Sequence, residues 1–328
     1  MLTDSKGKKH DEMTLKMTKE IVSFLGVLGN VDSSILNVRF DHGFRSVAMP
    51  YDEAAKLISH LERVGIGEAA RRLFAELPCV SHQEQKVYFV RNSFECDLEE
   101  DAKGELQKVW PCVARFANEC VDRYLNNVLR LMRLFKEGNL CMPLTYYVLY
   151  ADTPNPRALV SGKTYRSLTC EPYAVDSSEL QDLQTFVTAT KLPFGDSFLE
   201  LAFENFELSY EVPNRNLAFL ALMVCMEALL NRSSLELRHT LSRNVAVLLG
   251  KEKQDSALIM SDMKKLYDKR SKLVHSGSSD INQEDVLKLR RFARESIKEI
   301  RTLDKGKDEL IDMLDSAGFG DRSRRWTA

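Results

Sequence analysis

The sequence predicts a mainly α protein, with a C-terminal helical bundle preceded by an α+β region containing a few strands. Three observations predict it. From Ser178 onward every periodic stretch has the helical repeat, punctuated by caps and short loops. The β-rich stretches, Lys86 to Phe94 and Leu144 to Tyr150, fall only upstream. The 328 residues are 44% hydrophobic and 29% charged, enough for a core and too apolar for general disorder.

In chain order, Lys6, Gly7, Lys8 and Lys9 lie in a tail, and residues 11–29 are expected to form a helix. Tyr51 to Val64 and Glu68 to Leu77 are short amphipathic helices parted by Gly65 and Gly67. Lys86 to Phe94 is a strand. Leu106 to Lys136 is a long helix ending at Gly138. Leu144 to Tyr150 is a second strand, running into an Asp152-Thr153-Pro154-Asn155-Pro156 turn. Residues 157–175 are ambiguous, with a further strand placed around Thr164 to Leu168.

The later half is better punctuated. Helices are expected over 196–210 and 216–230. Ser233-Ser234-Leu235-Glu236 forms a capping box for a helix running to Leu249 and stopping at Gly250. The next helix starts near Asp255 or Ser256, runs to about His275 and stops at Gly277. Another starts at Asn282, flanked by a hydrophobic staple of Ile281 and Val286. The chain thus divides into an N-terminal α+β region (1–176), a bundle (177–303) and a C-terminal tail (304–328), with a soft boundary near 176–195.

Composition narrows the setting. The longest apolar stretch, Leu217 to Leu230, is too short for a membrane span and carries Glu227. Residues 1–20 lack an apolar h-region, so no secretory signal and a cytoplasmic location are expected. The seven cysteines are odd in number, scattered and free of any CxxC pair, which reads as reduced thiols rather than a disulfide frame or zinc site. Charge is uneven. Residues 215–303 carry 17 basic against 11 acidic side chains, whereas 1–214 carry 24 against 31. A basic segment in an acidic chain points either to a polyanionic partner or to a solvated face. Asn231-Arg232-Ser233 matches a glycosylation acceptor only incidentally, and the Arg322 to Trp326 tail reads as a solvated end.

The chemistry centres on the helix ending at His275. Its apolar stripe runs Ile259, Met263, Leu266, Leu273, and the missing member between the last two is Arg270. A guanidinium on a face that should be buried must be paired or line a cleft. His275 occupies the last turn, where the helix dipole favours a cation. The two side chains project about 140° apart on a straight helix, so they flank a groove rather than stack. An arginine holds phosphate with a planar fork of donors. An imidazole can take a proton from a ribose 2′-OH or give one to a leaving 5′ oxygen. No metal or other cofactor is expected. Glu227 interrupts the stripe of Leu220, Val224 and Leu230 and wants a cation, either Arg270 or Arg243, in a structural or orienting role.

The run ALMVCMEALLN, the later LRHTLSRNVAVLLG and then MKKLYDKRSKLVHSG resemble, in that order, the HEPN superfamily, in particular its Apea-like branch. Arg270-Ser271-Lys272-Leu273-Val274-His275 fits that superfamily's R-x4-H motif. The resemblance covers roughly 196–303; NNVLRLMRLFKEGNL and the strand after it resemble the region before the bundle in Apea-like proteins. It implies a helical bundle that dimerises about a two-fold axis, bringing two motifs into one cleft. It further implies a metal-independent endoribonuclease, of the kind found in anti-phage defence, toxin and stress systems, leaving 2′,3′-cyclic phosphate and 5′-OH ends. Arg270 would then orient the phosphate and His275 carry the acid–base step, with Ser271, Lys272 and Lys269 as supporting RNA contacts. RNA, a second copy of the chain, and a regulatory protein or phage trigger are the implied partners, and no membrane. The acidic N-terminal region would sense the trigger, hold the bundle inactive or position substrate. The competing expectation is a HEPN bundle that keeps the motif but serves only as a dimerisation or RNA-binding module. A small-molecule enzyme ranks third, since there is no GxGxxG, P-loop, GxSxG or HExxH.

Overall fold

The computed structural model of the chain describes residues 17–64, 80–81, 86–99, 106–149, 156–162, 172–232, 237–277 and 280–320. The expected helix Glu68 to Leu77, the turn at 152–155, the strand at Thr164 to Leu168, the capping box at 233–236 and the Arg322 to Trp326 tail lie outside them.

Among the described residues six strands form one antiparallel sheet: β1 (Met17–Gly29), β2 (Arg45–Pro50), β3 (Val80–Ser81), β4 (Lys86–Glu99), β5 (Cys141–Leu149) and β6 (Arg157–Gly162). The order is β2-β4-β1-β5-β6, with β3 also paired to β4. The central strand is β1, so the helix expected over 11–29 is corrected to a strand from Met17 onward. The physical reason lies in its two faces. Val22, Phe24 and Leu28 point one way and Val27 the other, and all four are buried. A strand covered on both sides carries apolar residues at both parities, which erases the alternation that marks a strand.

Helix α1 (Tyr51–Val64) matches its predicted bounds and covers one face, packing Ala54, Ile58 and Leu61 on Val87, Phe89, Leu144 and Tyr146. The other face is covered by the predicted long helix, which is divided. It runs as α2 (Leu106–Phe116), a π-helical stretch (Ala117–Leu125) and α3 (Asn126–Phe135). Phe116 stacks on Phe94 of β4 with ring centroids 3.9 Å apart. A register shift between Val27 and Gly29 of β1, opposite Leu144 and Cys141, turns Met142 toward this second face. Gly26 leaves it room: a Cβ there would sit 2.4 Å from Met142 Sδ.

The reading of all cysteines as unpaired is also corrected. Cys96 of β4 and Cys112 of α2 form a disulfide, with Cα atoms 6.0 Å apart. Sixteen residues separate them in sequence, and only the packing of α2 on β4 brings them together. Cys120, Cys141 and Cys225 are free.

The remaining helices are α4 (Leu180–Ala189), α5 (Ser197–Glu211), α6 (Arg215–Leu230), α7 (Leu237–Leu249), α8 (Lys253–Ser276), α9 (Gln283–Leu303) and α10 (Lys307–Ser316). Helices α5 to α10 enclose a second core of Phe203, Phe206, Phe219, Leu222, Met226, Leu241, Met263, Leu289, Ile297 and Leu310. The segment read as a tail from 304 therefore contains a helix that buries Leu310, Ile311 and Leu314 in the bundle. Arg243 of α7 fixes its end by donating to the carbonyls of Leu314, Asp315 and Ala317. Gly277 has the left-handed conformation (φ 65°) expected of a helix stop. Gly250 does not; it is required because a Cβ there would lie 2.1 Å from Ser256 Oγ, where α8 packs under the end of α7.

The sheet layer and the bundle meet at α3. Leu131 and Leu134 belong to the bundle core, while Val128, Leu129 and Met132 belong to the core beneath the sheet. Arg133, buried between them, pairs with buried Glu207 of α5 and donates to the Leu140 carbonyl. Arg294 of α9 donates to the Arg133 carbonyl and to the Tyr210 hydroxyl. No helix of the described residues is long and apolar enough to cross a membrane.

Candidate functional site

Helix α8 carries the motif, and its buried face is the predicted one. Met263 and Leu266 are in the core, and Ile259 and Leu273 pack against it. Arg270 is where the stripe puts it, with its side chain 26% exposed. Its Nη2 lies 3.6 Å from Glu227 Oε1, and its guanidinium carbon stands 5.8 Å from the centre of the Tyr267 ring. The α6 carboxylate and the α8 cation thus meet at the margin of the bundle core. Arg270 is the nearby cation of Glu227; Arg243 is spent on the end of α10.

Glu227 is half-buried, and its Oε1 has no hydrogen-bond partner among the described residues. Burial pushes its carboxyl above the ordinary range, and the charge of Arg270 opposes that rise. At 3.6 Å the pair is an ion pair without a hydrogen bond, leaving both groups with capacity for a further partner.

His275 stands exposed in the last turn of α8, five residues beyond Arg270. Among the described residues no hydrogen bond or ion pair joins the two, as their divergence of about 140° requires. Ser271 is half-buried and Lys272 exposed. Lys269 is ion-paired. Its Nζ is 2.7 Å from Asp285, within the capping box that Asp285 makes with Asn282 at the start of α9. It therefore ties α8 to α9.

Three apolar side chains of these two helices are exposed. Leu217 and Val224 of α6 are exposed, two turns apart on the face that leads to Glu227, and Val274 of α8 is exposed beside His275.

The excess basic charge of 215–303 is partly internal. Arg290 and Arg294 are buried, while Lys269, Lys288 and Arg238 are paired with Asp285, Asp262 and Asp268. Sequence reasoning missed the two buried arginines of α9. The signal was there: with Val286, Leu289, Ala293 and Ile297 as its apolar stripe, α9 places cations at 290 and 294 on the same face. That is the interruption which singled out Arg270. No family model matches the chain, and neither a curated protein nor a solved structure shows significant similarity to it.

Proposed function

We propose that the protein is a metal-independent endoribonuclease of the HEPN type, acting as a homodimer in anti-phage defence or a stress response. The observation that carries the reading is Arg270: a cation on the buried stripe of α8, steadied by Glu227, five residues before an exposed terminal histidine.

In the reaction the 2′-OH loses its proton and its oxygen bonds to phosphorus. The bond to the 5′ oxygen breaks, and that oxygen receives a proton. The products are a 2′,3′-cyclic phosphate and a 5′-OH end. Arg270 would grip the non-bridging oxygens and offset the charge that builds on them. His275 would be the acid–base residue, taking the proton from the 2′-OH or giving one to the leaving 5′ oxygen. One subunit presents the two groups on diverging faces, so a symmetry-related copy is needed to complete the cleft. The exposed apolar side chains Leu217, Val224 and Val274 support that arrangement.

The test is incubation of the purified chain with total RNA in chelator, beside Arg270→Ala and His275→Ala. Cleavage should persist in chelator. It should fall about 10²–10³-fold without the arginine and about 10²–10⁴-fold without the histidine. The Glu227–Arg270 pair favours a second reading, a dimerisation or RNA-binding module in which the guanidinium is structural. Intact RNA, with equal RNA binding by all three proteins, would support that module and sink the nuclease.

A further inference from the structure

A cavity of about 190 Å³ opens between α2, the π-helical stretch and strands β5 and β6. Val113, Val121, Met142 and Leu159 give it apolar walls. Trp110 also lines it and is nonetheless 53% exposed, so the indole stands at the opening. An apolar cavity of about 150 Å³ is enough to hold one benzene ring.

The π-helical stretch places a charge in this apolar setting. Its hydrogen bonds span five residues, as from the Asn126 N–H to the Val121 carbonyl, and the turn is wider than in an α-helix. Residues four and five apart then share a side, and Ala117, Val121 and Asp122 all line the cavity. Asp122 is the only charged side chain among the described lining residues. Its Oδ1 accepts from Asn126 Nδ2 at 2.9 Å, and no cation pairs with it among the described residues. A carboxylate has about four acceptor sites, so most of its capacity is open. The Tyr147 ring, 7% exposed, lies within reach of its charge: burial first, and Asp122 second, push the phenol up, so it stays protonated beside the carboxylate.

We propose that this cavity binds a small organic cation carrying a single ring, an arylalkyl ammonium, with the ring between the apolar walls and the ammonium N–H groups donated to Asp122. The indole face of Trp110 at the opening adds a second attraction for the cation. A neutral ligand would cover the carboxylate without offering it a charge, and an anion would be repelled by it. The site shares no residue with Arg270 and His275, so it does not rest on the nuclease reading.

The test uses the full chain with Trp326→Phe, which leaves Trp110 as the single tryptophan. Benzylammonium chloride, titrated at constant ionic strength, should change the Trp110 emission saturably, with a dissociation constant of about 1 mM or tighter. Benzyl alcohol, with the same ring and no charge, should bind about fivefold more weakly or worse. Asp122→Asn should weaken benzylammonium binding by a similar factor with an unchanged circular dichroism spectrum. Glu119→Gln removes a neighbouring carboxylate that does not line the cavity and should leave binding as it was. The proposal is overturned if benzylammonium gives no saturable response or if benzyl alcohol binds as tightly. It is equally overturned if Glu119→Gln weakens binding as much as Asp122→Asn. The comparison of the two ligands on the parent chain decides the matter even where a variant fails to fold.

Discussion

Glu207 and Glu227 are two carboxylates in one bundle with opposite provisions. Glu207 is buried against Arg133, within a network that also draws in Arg130. Removing one partner of such a pair leaves the other charge in the interior without compensation. Glu207→Ala should therefore lower stability by about 3–5 kcal/mol in urea denaturation. Glu227 lacks a hydrogen bond on Oε1, and burial raises its carboxyl above the ordinary value of 4.5. The folded chain therefore holds that proton more tightly than the unfolded one. Its contribution is present in full below the ordinary value and is lost as pH rises through the raised one. Glu227→Gln should remove that slope, so the stability difference between variant and parent should shift in the variant's favour from about pH 4 to about pH 7. A difference that stays level over that range would contradict the assignment. At this scale the sequence was partly legible. Arg270 announced itself by breaking a stripe, and Glu227 by breaking another. Lys269 did not, because its engagement with Asp285 depends on how α8 meets α9.

Among the elements, legibility followed exposure. Helix α1 has one wet face and one dry face, and its bounds could be read directly. Strand β5 was found because aromatic and β-branched residues crowd it, although it begins at Cys141, earlier than expected. Strand β1 was missed because both its faces are covered, and β6 because so short a strand at the sheet edge has little pattern to show. The π-helical stretch had no sequence signature at all. Gly250 was noticed for the wrong reason: the position needs the absence of a side chain rather than a left-handed backbone. Gly250→Ala should accordingly destabilise the α7–α8 junction by about 1–3 kcal/mol, the usual range for overpacking. Thermal unfolding would show it, with hydrogen exchange quickened first at the end of α7.

For the molecule as a whole, the proposed mechanism requires two copies. Light scattering at micromolar concentration should give twice the chain mass of 37.5 kDa. Leu217→Asp combined with Val224→Asp should convert the dimer to monomer and abolish cleavage, because both positions are exposed within one chain. A parent protein that remains monomeric would remove the shared cleft. The division at 176 was read from the change to an all-helical pattern, and the packing explains why that boundary was soft. Helix α3 has apolar neighbours on both flanks, and its Arg133 reaches across to α5. A backbone cut after Gly162 would therefore leave two peptides clasped together rather than two separable globules. Native gel filtration of the nicked protein should elute both pieces in a single peak.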